Sequence, residues 1–134
     1  MRGPIALVFL FIVAALYDGV LGLAFLFWPA AVFDLFRVTP PNHFGYAQFP
    51  GALLIVFALM FLSVARSPEK NRNLIPFGML LKVSYCSIVF YYWLTIDLPG
   101  MWKPFALIDL AFLALFAWAC AVLRPSHRSV PAAT

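Results

Sequence analysis

Apolar positions in this chain do not alternate with polar ones at a helix or strand period. They come in four nearly continuous runs joined by short polar connections. Residues 5–28 are interrupted only by Tyr17-Asp18-Gly19 and Gly22, and residues 46–65 contain no charged side chain. Residues 74–94 carry Lys82, Ser84, Tyr85, Ser87, Tyr91 and Tyr92, and residues 101–123 carry Asp109. Each run is near the roughly 20 residues that cross about 30 Å of hydrocarbon. Backbone amides in lipid must be satisfied within the segment, so the runs predict helices rather than open strands. The expected fold is an all-α, integral membrane four-helix bundle, one transmembrane domain over residues 1–134. Proline placement agrees: Pro4, Pro50, Pro76 and Pro104 fall in expected first turns, and Pro29, Pro99 and Pro125 follow the ends of runs.

The connection after the first run is the longest. Its residues 30–37 put Phe33 and Phe36 on one side, which predicts a short helix lying in the membrane interface. Thr39-Pro40-Pro41-Asn42 then forces a turn, and His43 reads as a solvated loop residue. A cleaved signal peptide ending near Gly22-Leu23-Ala24 is a rival for the first run. That run is much longer than a signal's roughly 7–15 apolar residues, so a retained span is expected. Orientation follows from Lys and Arg in the connections. Arg2, Arg66, Lys70, Arg72, Arg124 and Arg128 fall on one side, Arg37 and Lys103 on the other. The expectation is a bacterial inner-membrane protein with both termini cytoplasmic, and with Trp28, Trp93 and Trp102 near the outer interface.

Composition sharpens this picture. Hydrophobic residues make up 65% of the 134 and charged residues 10%, against roughly 45–50% and 25% in soluble domains. The mean hydropathy is +0.97. A soluble enzyme, a disordered tail and a disulfide-stapled secreted domain are excluded. Cys86 and Cys120 form no C-x-x-C pair, and at roughly 1.5 Å rise per residue their depths differ too much for a bridge. His43 and His127 lie outside the runs, so no metal or haem ligand set is expected and no cofactor is assigned. Phosphate loops, nucleophile elbows and basic-aromatic stripes are missing, which gives no catalytic residue and no nucleic-acid partner. The net charge of +4 therefore reads as membrane topology.

Asp18, Lys82 and Asp109 stand inside the spans, where an unpaired charge costs at least about 2.5–3.5 kcal/mol. Depth arithmetic puts Asp18 about 19 Å and Asp109 about 18 Å from the cytoplasmic side, and Lys82 about 12 Å. A lysine reaching about 6 Å upward meets both acids and falls short of the headgroups below. The expected arrangement is one Asp18–Lys82–Asp109 cluster drawn from three helices. Two carboxylates facing one ammonium sum to −1, so one shared proton is expected to balance the interior. Ala14, Asp18 and Gly22 form a small-residue stripe on the first helix. Gly78, Lys82, Tyr85, Val89 and Tyr92 share a face of the third, which predicts two phenols, Tyr85 and Tyr92, near the ammonium.

The order Tyr17-Asp18-Gly19-Val20-Leu21-Gly22-Leu23, Phe49-Pro50-Gly51-Ala52, Gly78-Met79-Leu80-Leu81-Lys82 and Asp109-Leu110-Ala111-Phe112 resembles small bacterial four-span proteins of the DoxX-like group. The resemblance implies a four-helix bundle of the bacterial inner membrane. Some relatives in that group are subunits of quinone-linked sulfur-oxidising enzymes, but no residue match carries that activity here. The sequence thus favours a non-enzymatic subunit or stabilising partner of a larger membrane assembly, or a homo-oligomer, in contact with the lipid bilayer. The second expectation is a pocket for a quinone or another lipid-soluble molecule, with or without enzyme activity. The third is a proton-coupled transporter.

Overall fold

The computed structural model describes residues 3–125. Arg2, His127 and Arg128, and the start of the rival signal peptide, lie outside the described residues. The order of elements is α1 (Gly3–Phe27), α2 (Pro29–Leu35), α3 (Gly45–Arg66), a short 3-10 turn (Arg72–Leu74), α4 (Ile75–Thr95) and α5 (Trp102–Val122). Four of the helices are long and apolar enough to cross a membrane, so the chain has the all-α, multi-pass fold of a small membrane protein. Helix ends fall within one or two residues of the sequence expectation, because lipid thickness sets their length. One proline departs from it. Pro50 sits inside α3, past its first turn, and deprives the Tyr46 carbonyl of its helical N–H partner. His43 also does more than occupy a loop: its Nδ1 accepts a hydrogen bond from the Gly45 N–H at 2.9 Å, at the start of α3.

Packing is uneven. α1 and α3 touch backbone to backbone where Gly22 meets Gly51. A Cβ built on Gly22 would stand 2.6 Å from the Gly51 carbonyl oxygen, so only glycine permits that approach. The Gln48 side-chain amide adds a bond to the Leu26 carbonyl at 3.1 Å. Towards the other end, Phe11, Phe61 and Phe116 bring α1, α3 and α5 together, with ring centroids 5.1 to 6.1 Å apart. The Phe61 ring also fills the notch left by Gly78 of α4, where a Cβ would lie 2.5 Å from the ring. Here α3 and α4 are in contact. Farther along, Leu53 and Leu54 of α3 and Leu81 and Tyr85 of α4 face one another across a cavity instead.

The two ends of the bundle differ in charge. The Arg72 guanidinium donates to the Leu123 carbonyl at 3.3 Å, which places the α3–α4 connection beside the end of α5. Arg66, Lys70, Arg72 and Arg124 gather at this end, with Glu69 the one acid among the described residues there. At the opposite end Arg37 and Lys103 are balanced by Asp34 and Asp97. The Asp97 carboxylate accepts from Lys103 at 2.8 Å, which holds its carboxyl below the usual carboxylate range. α2 closes this second end. Its Phe33 is buried against Phe25 and Trp102, and Phe36 packs edge-on to Phe105. Both phenylalanines thus turn onto the bundle.

Candidate functional site

Asp18, Lys82 and Asp109 occupy the middle of the bundle, one each from α1, α4 and α5. Their faces follow from helical spacing. Buried positions recur as Phe11, Ala14, Asp18 on α1, as Ile75, Gly78, Lys82, Cys86, Val89 on α4, and as Ala106, Asp109, Phe112, Phe116 on α5. The Lys82 Nζ donates to Asp18 Oδ1 and to Asp109 Oδ1, each at 2.9 Å. Lys82 is 0% exposed, Asp18 1% and Asp109 8%. At that burial the ammonium lies inside the bundle and not on its surface. Three rings surround it, with centroids of Tyr17, Phe61 and Phe112 at 5.4, 5.9 and 5.3 Å from Nζ. Their electron-rich faces add to the field that holds a cation here.

Both hydrogen bonds end on Oδ1 atoms, and this leaves Asp18 Oδ2 buried with no hydrogen-bond partner. The Tyr17 hydroxyl is in the same condition. Such groups carry a desolvation penalty of about 1–3 kcal/mol, more when charged, and each asks for an explanation. A cavity of about 600 Å³ begins at this point, with Tyr17, Asp18, Tyr85 and Asp109 in its wall. Lys82 is not part of that wall. The cavity is otherwise mostly apolar, bounded by Leu21, Phe25, Leu54, Leu81 and Trp102, and it extends to Thr39, Pro41 and Pro99 of the α2–α3 and α4–α5 connections. Phe25 and Trp102 stack at 5.9 Å near that end.

The residues singled out from the sequence divide in two. Asp18, Lys82 and Asp109 are in direct contact, and Tyr85 lies beside them on the cavity wall. The Tyr85 hydroxyl is spent on the backbone, donating to the Trp102 carbonyl at 2.9 Å. Tyr92 is a correction. It is exposed near the end of α4 and packs on Tyr91. Ten residues separate it from Lys82, about 15 Å along the helix, which no phenol spans. Tyr17 takes the place expected for it. Sequence reasoning passed over Tyr17 because it lies off the Ala14–Asp18–Gly22 stripe; its signal was the depth it shares with Asp18. The two cysteines are free and held in different layers, Cys86 donating to the Ala106 carbonyl and Cys120 close to Met79.

No family model matches the chain, and no curated protein or solved structure matches it. What the site does must therefore be read from its own geometry.

That geometry makes a quantitative expectation for stability. Lys82→Met strands two buried acids and should cost about 3–5 kcal/mol. Asp18→Asn or Asp109→Asn alone should cost less, since one acid still holds the ammonium. Unfolding measurements on the single and double variants in a bilayer mimetic should give coupling of roughly 0.5–3 kcal/mol between Lys82 and each acid. Additive effects would contradict the contact.

Proposed function

We propose that this chain is a multi-pass protein of a bacterial cytoplasmic membrane that holds a lipid-soluble molecule in the cavity between α3 and α4. The observation that carries the reading is the apolar cavity ending at two acids, one of them with an unpartnered oxygen. A volume of about 600 Å³ lies within the roughly 300–1,000 Å³ of small-molecule pockets, which pair apolar walls with a few orienting polar groups. The acids accept hydrogen bonds, and a protonated one also donates, so they anchor the polar end of the occupant. The body of the molecule lies against Leu54, Leu81, Phe25 and Trp102. A purely structural ion cluster needs neither the cavity nor the free oxygen, so the reading as a stabilising subunit of a larger assembly ranks second. No reaction is assigned. The DoxX-like resemblance belongs to this proposal and supports the bacterial membrane, not the identity of the occupant.

Purification in native nanodiscs, followed by mass spectrometry of the extract, tests the reading. One lipid-soluble molecule per chain is expected with the wild-type protein. Leu54→Trp, which fills the cavity, should fold and lose it. A stoichiometric protein partner with no retained small molecule would overturn the reading in favour of a structural subunit.

The orientation proposed with it has both termini in the cytoplasm. Its support is the cluster of Arg66, Lys70, Arg72 and Arg124 at one end of the bundle against the balanced charges at the other. Reporter fusions after Arg37 and after Lys70 should report the periplasm and the cytoplasm respectively; the reverse result would invert the protein in the membrane.

A further inference from the structure

The charges around the cavity do not cancel. Asp18 and Asp109 contribute two negative charges and Lys82 one positive, and no other charged residue is in the cavity wall among the described residues. The positive member does not border the cavity. Lys82 is fully buried behind the acids, and both acids are on the wall. The inner end of the cavity is therefore bordered by the two acids and not by Lys82. Asp18 Oδ2, on a side chain 1% exposed, is the unused acceptor. Asp109 is the most exposed of the three.

The titratable groups facing this pair are few. α4 brings Lys82, Tyr85 and Cys86, and α1 brings Tyr17. α3 contributes only Tyr46, which lines the cavity. Tyr85 has its hydroxyl committed to a backbone carbonyl. None of these neighbours supplies the missing positive charge. With the cavity empty, one proton shared by the acids restores neutrality. With it filled, a cation on the occupant does the same and makes that proton unnecessary, since an uncompensated charge in a low-dielectric interior is strongly unfavourable.

We propose that the cavity takes an amphiphile bearing one protonated amine, whose ammonium seats against Asp18 and Asp109 and displaces the proton the two acids share. Charge balances at each stage: an ammonium enters, one proton leaves, and the site stays neutral. The aromatic faces along the path suit the same cation, and the apolar walls take its hydrocarbon tail. The inference rests on the cavity reading and narrows the occupant from any lipid-soluble molecule with a polar end to a cationic one.

The test uses two probes with the same tail, dodecylammonium and 1-dodecanol, with the full chain in nanodiscs in weakly buffered medium. Dodecylammonium should bind one per chain and release about one proton. Its affinity should tighten about tenfold per pH unit over the range in which the acids hold their proton, as one-for-one exchange requires. Dodecanol should bind far more weakly and release none. Leu54→Trp keeps the acids and should abolish binding of both above the level of empty nanodiscs. Asp18→Asn/Asp109→Asn should lose proton release in particular. If dodecanol binds as well as the amine, or the amine binds without releasing a proton, the charge-exchange inference is overturned and the cavity reading stands. If neither probe binds the wild type better than Leu54→Trp, both are overturned.

Discussion

A lysine ammonium in the middle of a bilayer has no inexpensive resting place, and the arrangement of these helices follows from where Lys82 is put. Headgroups are out of its reach, so its charge must be met from within the protein. Two acids on two other helices meet it at 2.9 Å each. That requirement fixes the rotation of α1, α4 and α5 about their axes. Between helices in lipid, apolar burial supplies little driving force, and specific packing and polar contacts decide which faces meet. The phenylalanine cluster of Phe11, Phe61 and Phe116 and the glycine contact between α1 and α3 then fill the space the ion cluster defines.

The fourth long helix explains why there is a cavity at all. α3 carries no charge before its last residue, Arg66, and is attached elsewhere, to α1 through Gly22 and Gly51 and to α4 through Phe61 against Gly78. Between those two fixed points and the α2–α3 and α4–α5 connections, no hydrogen bond or ion pair among the described residues draws α3 onto α4. The gap that results has the ion cluster at its inner end and the Phe25, Phe33 and Trp102 cluster at its outer end. A cavity bordered by the acids and not by their cation is thus a consequence of how the lysine was neutralised.

The sequence made the number, length and ends of the helices legible, because bilayer thickness imposes them. It was much poorer on which side of each helix faces inward. Leu7 is buried and Phe9 is exposed, yet both are apolar, since the core and the lipid ask for the same side chains. Only the charged residues broke that degeneracy, and simple depth arithmetic relates Asp18, Lys82 and Asp109. The same reading assigned Tyr92 by its face while its height along α4 put it out of reach, and it passed over Tyr17, one residue from Asp18 but about 100° around the helix. The cavity had no sequence signal. It lies where α3 and α4 stand apart, beyond the contact of Phe61 with Gly78.

The most direct test of the central claim is a distance measurement inside the membrane. Solid-state NMR on the chain in bilayers, with the lysine side-chain nitrogen and the aspartate carboxyl carbons labelled, reads the dipolar coupling between them. Asp18→Asn and Asp109→Asn assign each contact. The account predicts strong coupling of Lys82 Nζ to both carboxyl carbons, with each variant removing one of the two. Coupling to one acid alone, or an ammonium in contact with lipid phosphate, would contradict it.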